Sequence, residues 1–357
     1  FDLERHRFFS PGLVIDADGA RSLPENGTEV CPRGWGQTGN YRLHPTTSVE
    51  ELKDIAQTVS DCWPQLFENP ADAAISLAVG LFGPIIPPLL GGPPHLLLAF
   101  IGTTGSGKTT RARILMRFWG ASTDETWQHG TWRAALAMAA RFRHSLCPLD
   151  DLRSATDTRE LVSCLFDSGR RAALKRSGQP REDPSTECAT ILTAESFEGA
   201  GESTMNRLCV VPCSHPPETH RARIASALQA LDRIANPSGL TVVAIQESLG
   251  QAALLKEMER LARDNALRRA ISSSRGVDVA VRVYLAVEFL RSLFGRLLGA
   301  SPNTVSLRPL TLLGMVKDVG EDLLWEVLPC PFFFVVVLFP FPRRSWPLIC
   351  RESFRLM

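Results

Sequence analysis

One stretch constrains this chain more than any other. Residues 95–101 (HLLLAFI) are an unbroken apolar run, 102–109 read Gly-Thr-Thr-Gly-Ser-Gly-Lys-Thr, and 109–119 (TTRARILMRFW) repeat apolar residues at helical spacing before Gly120. A continuous apolar run suits a strand buried on both faces of a parallel sheet. The octapeptide fits G-x-x-x-x-G-K-[ST] between such a strand and a helix, the context in which that pattern carries a mechanism. Gly102, Gly105 and Gly107 let successive backbone N–H groups curl around a phosphate. The helix N-terminus adds partial positive charge. The chain therefore contains an α/β phosphate-binding unit, with Thr103, Thr104 and Ser106 completing the loop. Lys108 is placed to reach the β- and γ-phosphates of ATP, Thr109 to offer its hydroxyl to Mg²⁺, and Thr110 to support the α-phosphate side. Composition sharpens the reading. Of 39 basic residues only five are lysine, leaving 34 arginines, yet the motif's cation position holds a lysine. A compact ammonium suits a phosphate cradle.

A phosphate loop that holds Mg·ATP needs a carboxylate at the end of a neighbouring strand and a group that orients the attacking water. SLCPL (145–149) reads as a short strand running into Asp150 and Asp151, 42 residues after Lys108. Asp150 is expected to coordinate Mg²⁺ and Asp151 to polarise the water. The alternative is a helix cap, a common use of paired aspartates. Residues 189–194 (ATILTA) form a further strand, whose exit offers Thr193 first and Glu195 second as a sensor of the γ-phosphate or its water. Arg207 opens RLCVVP and is expected to project as a finger into a neighbouring subunit's site, against the alternative of an ordinary surface arginine. Residues 169–181 (GRRAALKRSGQPR) carry Arg170, Arg171, Lys175, Arg176 and Arg181, and form either a solvated loop or a hairpin touching the backbone of single-stranded DNA. Cys209, Cys213, His215 and His220 cluster without a zinc spacing, and Trp127 and Trp132 either stack on a base or pack in the core.

Around this unit the chain divides into four expected regions. Residues 1–84 hold a hairpin (FFSPGLVIDADGARSL, turning at Asp18-Gly19) and helices, the first capped by Ser48 with Glu51 three residues on. A Pro/Gly linker at 84–94 leads into an ATPase core at 85–216, with further helices at 131–142 and 156–169 and a strand at 207–212. Residues 217–326 are mostly helical by their three-to-four spacing. The Pro- and Phe-rich tail, 327–357, shows no periodicity.

With 357 residues, 44% hydrophobic and 22% charged, wholesale disorder and fibrous repeats are excluded. A net charge of +1 excludes a uniformly basic nucleic-acid binder and leaves only local patches. Nine scattered cysteines fit a reducing, cytoplasmic setting. Residues 81–101 carry five prolines, and 327–341 are short and broken by proline, so neither reads as a membrane span. The chain opens on Phe1 without a basic-then-apolar leader, as expected of an unsecreted piece of a longer protein.

In this order and spacing, GTTGSGKTTRARILMRFWG, TWQHGTWRAALAMAARF, PLDDL, ILTAES and MNRLCVVP resemble the ATPase core of primase-associated, helicase-like proteins of phage, plasmid and integrated-element replication modules. These are similar to superfamily III and AAA+ P-loop ATPases. The resemblance spans about residues 70–235. It implies a parallel sheet of the additional-strand type with the acid-bearing strand beside the phosphate-loop strand, a ring of identical subunits, ATP hydrolysis coupled to movement along DNA, and a primase or other replication partner. It also implies Lys108 and Thr109 as phosphate and Mg²⁺ residues, Asp150 and Asp151 as the acidic pair, Thr193 as sensor and Arg207 as finger. The chain departs from the pattern in its Asp-Asp pair, where Asp-Glu is usual, and in showing no obvious strand between the loop and the acidic strand. A small-acceptor kinase and a nucleotide-binding switch with little hydrolysis use the same loop and stand as alternatives.

Overall fold

The structure, a computed structural model, describes residues 2, 5–10, 13–22, 41–46, 48–121, 131–142, 144–152, 155–168, 172–174, 180–182, 186–197, 201–264, 274–299, 323–329 and 334–340. Strands β1 (Phe8–Ser10), β2 (Leu13–Asp16) and β3 (Gly19–Ser22) form an antiparallel meander. Its second turn closes where Asp16 pairs with Gly19, as the Asp-Gly signal predicts, and a third strand extends the expected hairpin. Helix α1 (Val49–Cys62) starts at Ser48, whose hydroxyl accepts from the N–H of Glu51 at 3.2 Å, the expected cap. A 3₁₀ turn (Trp63–Leu66) leads to α2 (Pro70–Phe82), capped by Asn69.

The segment expected to be a linker is packed. Ile86–Leu89 form a short helix, α3, and Ile85, Ile86 and Leu89 are buried in the common core. The apolar residues between the prolines, not the prolines, decide its fate, because burying them outweighs the turn signals. Further on, buried Arg282 donates to the carbonyls of Gly92 at 2.8 Å and Pro93 at 3.2 Å and to that of Pro94. Burial pulls its pKa down to about 10, so the clamp stays charged at neutral pH.

Strand β4 (Leu97–Ile101) is followed by α4 (Lys108–Phe118), α5 (Trp132–Ala139), β5 (Leu146–Leu152) and α6 (Ala155–Asp167). Then come β6 (Ala172–Leu174), β7 (Pro180–Glu182), β8 (Ala189–Ala194), α7 (Glu202–Met205) and β9 (Cys209–Pro212). Four of these strands make a parallel sheet in the order β5-β8-β4-β9. Leu97, Leu98, Ala99 and Phe100 are fully buried, as a strand covered on both faces requires. Among the described residues no strand lies between β4 and β5 in sequence, and β8 inserts between them in space, so the acid-bearing strand β5 is not beside the phosphate-loop strand, contrary to expectation.

The remainder is helical: α8 (Glu218–Asp232), α9 (Ser238–Gly250), α10 (Ala252–Asp264) and α11 (Ser274–Leu297). α11 packs along α2, with the rings of Phe82 and Phe289 5.9 Å apart, and α9 packs on α4. One hydrophobic core runs from Phe8 to Leu297. In the tail, β10 (Leu323–Pro329) and β11 (Phe334–Pro340) pair antiparallel, a hairpin that the absence of periodicity did not suggest. Among the described residues no helix is long and apolar enough to cross a membrane.

Candidate functional site

The phosphate loop leaves β4 at Gly102 and enters α4 at Lys108. Gly105 and Gly107 both sit at φ 83°, in the left-handed region that a side chain resists. Ser106 between them is buried, and its hydroxyl lacks a hydrogen-bond partner among the described residues. Lys108 folds back over the loop, with Nζ donating to the carbonyl oxygens of Gly102 at 2.5 Å and Thr103 at 2.9 Å. Thr110 is exposed in the first turn of α4.

The sheet order brings the acidic residues to this loop. Thr109 Oγ1 donates to Asp150 Oδ1 at 3.1 Å, across 41 positions of sequence. Thr193, 3% exposed at the end of β8, donates from Oγ1 to the same carboxylate oxygen and accepts from the backbone N–H of Asp151 at 2.9 Å. Asp151 stands at φ 60°, where the β5–β8 register breaks between Leu149 and Leu152. Pro148 lies in that strand without ending it, since β5 is the sheet's outer strand and can spare a donor. Beyond Thr193, Glu195 accepts from the hydroxyl of Thr104 in the loop. A cleft of about 700 Å³ is lined by Thr104, Gly105, Lys108 and Thr109 of the loop and its helix and by Asp150, Asp151, Thr193 and Glu195 of the strand ends.

These residues fit Mg²⁺ and a polyphosphate. The hydroxyl of Thr109 and the carboxylate of Asp150 are hard oxygen donors of the kind Mg²⁺ takes. The two left-handed glycines and the unpartnered Ser106 hydroxyl line a concave backbone suited to an anion. Among the described residues no group of three or more His, Cys, Asp or Glu side chains is gathered as a metal cluster.

Arg207 is held within its own chain. It precedes β9, which starts at Cys209, and its side chain turns inward, 6% exposed. Nη1 donates to Ser203 O at 2.6 Å and Ser203 Oγ at 2.8 Å, Nη2 lies 3.6 Å from Asp167, and the guanidinium stacks on Phe166. Burial lowers its pKa. In this arrangement it fastens α7 to α6.

Two residues stand at the loop that the sequence did not place there: Arg111, which it did not single out, and His215, which it grouped with Cys209, Cys213 and His220. Arg111, buried on α4, donates from Nη1 to Ser106 O at 2.6 Å and from Nε to Leu66 O at 3.1 Å, and stacks 4.9 Å from the centre of the Phe67 ring. It ties the phosphate loop to the 3₁₀ turn before α2. Its signal was lost in the arginine-rich background. His215, beyond β9, lies beside Gly105; a Cβ there would stand 3.1 Å from its Cε1. Cys209 is buried in β9, and Trp132 packs against the core with Arg133 over its ring. Trp127 lies outside the described residues, as do Arg170, Arg171, Lys175 and Arg176; of the 169–181 segment the backbone pairing of β6 with β7 is described.

Because Arg111 bridges two carbonyls on different elements, Arg111→Ala is expected to weaken nucleotide binding about tenfold and to lower the melting temperature, through loss of hydrogen bonds worth roughly 1.5–3 kcal/mol each. Arg111→Lys should not rescue, since an ammonium lacks the planar fork. Titration with a fluorescent ATP analogue, beside thermal melts, checks both; wild-type affinity in Arg111→Ala would refute the clamp.

No protein-family model matches the chain, and no curated protein matches it. Among solved structures it is similar to the SCCmec type IV Cch protein, described as an active helicase, with a TM-score of 0.50 and 14% identity over 83% of this chain. The chain spans 57% of that protein's length. A JCV helicase with a bound small molecule is more distant, at TM-score 0.34 and 13% identity over 60% of this chain and 62% of that one. The fold is thus the α/β fold of a P-loop NTPase core, with a parallel sheet, a small antiparallel N-terminal sheet and C-terminal helices.

Proposed function

We propose that this chain is a Mg·ATP-hydrolysing, helicase-like ATPase of the cytoplasm that works as a ring of identical subunits on single-stranded DNA, in the company of a primase or other replication partner. The observation that carries the reading is the convergence of Lys108, Thr109, Asp150 and Thr193 at one loop from three adjacent strands and the helix after them. The backbone N–H groups of 102–109 would hold the phosphates, with Thr110 flanking them. Lys108 would swing from the carbonyls of Gly102 and Thr103 to the β- and γ-oxygens, exchanging dipolar partners for anionic ones. Thr109 and Asp150 would hold Mg²⁺, which when bound neutralises charge on those oxygens. Thr193, already on Asp150, would register the γ-phosphate through that carboxylate, and a second carboxylate would orient water for in-line attack, Asp151 by its place in the sequence.

The helicase-like part rests on the likeness of fold to the Cch protein, and DNA contact on the basic 169–181 segment, whose β6–β7 pairing supports a hairpin. The deciding experiment is ATPase rate with and without single-stranded DNA, with the particle mass measured alongside. Severalfold stimulation by DNA and a multimeric mass are expected. DNA-independent release of ADP that requires a small acceptor would instead show a kinase, and tight ATP binding without turnover a switch. Specific activity that stays constant on dilution to nanomolar protein would refute a role for the ring in hydrolysis.

A further inference from the structure

We infer that Glu195, not Asp151, is the carboxylate that takes the proton from the attacking water. This rests on the reading that the cleft hydrolyses ATP, and it is carried by the order of the sheet. β8 lies directly beside β4: Thr193 pairs with Phe100, Ala194 pairs with Ile101, and the N–H of Gly102 donates to Ala194 O at 3.2 Å. The residue after Ala194 therefore emerges beside the first residues of the phosphate loop, and that residue is Glu195. Its carboxylate accepts from Thr104, a loop residue that shares the cleft wall with Lys108. Asp151 comes from β5, one strand further from β4, about 4.8 Å more in the hydrogen-bonding direction. Its side chain is a methylene shorter, and its backbone N–H is tied to Thr193.

The division of labour is then chemically clear. Asp150 is engaged by Thr109 and Thr193 and belongs to the metal. Glu195 lines the same cleft and is exposed, with one carboxylate oxygen held by the Thr104 hydroxyl. In the step, the water oxygen forms a bond to the γ-phosphorus as the bond from phosphorus to the β,γ-bridging oxygen breaks. The electron pair leaves on ADP, and the water proton passes to the Glu195 carboxylate. The products are ADP and inorganic phosphate.

Glu195→Gln is the clean test, because the amide oxygen can still accept from Thr104 while the base is gone. It is expected to lower kcat at least about tenfold, as loss of a general base does, with unchanged affinity for ADP. The fall of kcat on the acidic side of the pH profile should disappear. Binding of ADP with aluminium fluoride, a stand-in for the transferring phosphoryl and its water, should weaken by a similar factor. In Asp151→Asn turnover is also expected to fall, but the acidic limb should remain. Wild-type turnover in Glu195→Gln, a joint loss of ADP affinity, or an acidic limb that vanishes only in Asp151→Asn would overturn the assignment. Should Glu195→Gln fail to fold, Glu195→Asp decides: lower kcat with the limb retained supports it, and wild-type kcat overturns it. A wild-type protein that does not hydrolyse ATP refutes the underlying reading. A hydrolysing wild type matched by Glu195→Gln refutes this inference alone.

Discussion

Lys108→Ala is expected to lose ATP hydrolysis by about 100-fold or more, the scale seen when one preorganised donor to a developing negative charge is removed. The side chain is half-buried, and among the described residues its ammonium bonds only its own loop, at Gly102 O and Thr103 O. The first of these bonds is part-buried and the second exposed, so water can replace the lost donor and the variant should melt within a few degrees of the wild type. The expected pattern is a folded protein whose affinity for ATP drops more than its affinity for ADP, because the lost cation faces the terminal phosphates. Arginine at 108, the chain's habitual cation, should not restore activity, since a planar fork cannot occupy the place of a compact ammonium. Steady-state turnover and calorimetric titration with ADP and a non-hydrolysable ATP analogue check this. Normal turnover in Lys108→Ala would remove the loop from the mechanism.

Local chemistry made much of this legible. The loop could be read because each residue type answers a backbone or charge requirement within eight positions, and 189–194 matches β8 to the residue because an apolar run bounded by polar exits has little choice. The cap at Ser48 was readable for the same reason. What stayed hidden was decided across long separations. Nothing near Thr193 announces that β8 inserts between β5 and β4, so the pairing of Thr193 with Asp150 and of Glu195 with Thr104 emerges only in three dimensions. The 84–94 segment misled because turn residues signal local bending, whereas the burial of Ile85, Ile86 and Leu89 depends on partners such as α11. The contacts of Arg207 were hidden too, because the direction of a side chain at a loop–strand junction is set by what it can stack on, here Phe166, and by an ion pair to Asp167.

The start of the loop is held by a close approach, and this gives the largest structural effect expected. Gly102 follows β4 where the chain leaving β9 passes: Cys213 N–H donates to Ile101 O at 2.6 Å, and a Cβ on Gly102 would lie 1.8 Å from Cys213 O and 3.0 Å from Ser106 Oγ. The obstacle is backbone, so it cannot turn aside as a side chain would. Relief requires the ends of β4 and β9 to part, which breaks the Cys213–Ile101 bond and drags the loop off its strand. Gly102→Ala is therefore expected to destabilise the fold by about 3 kcal/mol, the upper range for overpacking a close-packed site, and to abolish binding of nucleotide analogues to whatever folds. Gly91→Ala is the control. Gly91 sits at φ 96° with nothing within 4 Å of its would-be Cβ, so only backbone strain applies, at about 1–2 kcal/mol. Urea unfolding of both variants, with analogue binding measured in parallel, separates contact from conformation. Equal losses in the two would mean that β9 does not press on Gly102, and retained binding in Gly102→Ala would mean that the loop does not need the strand ends joined.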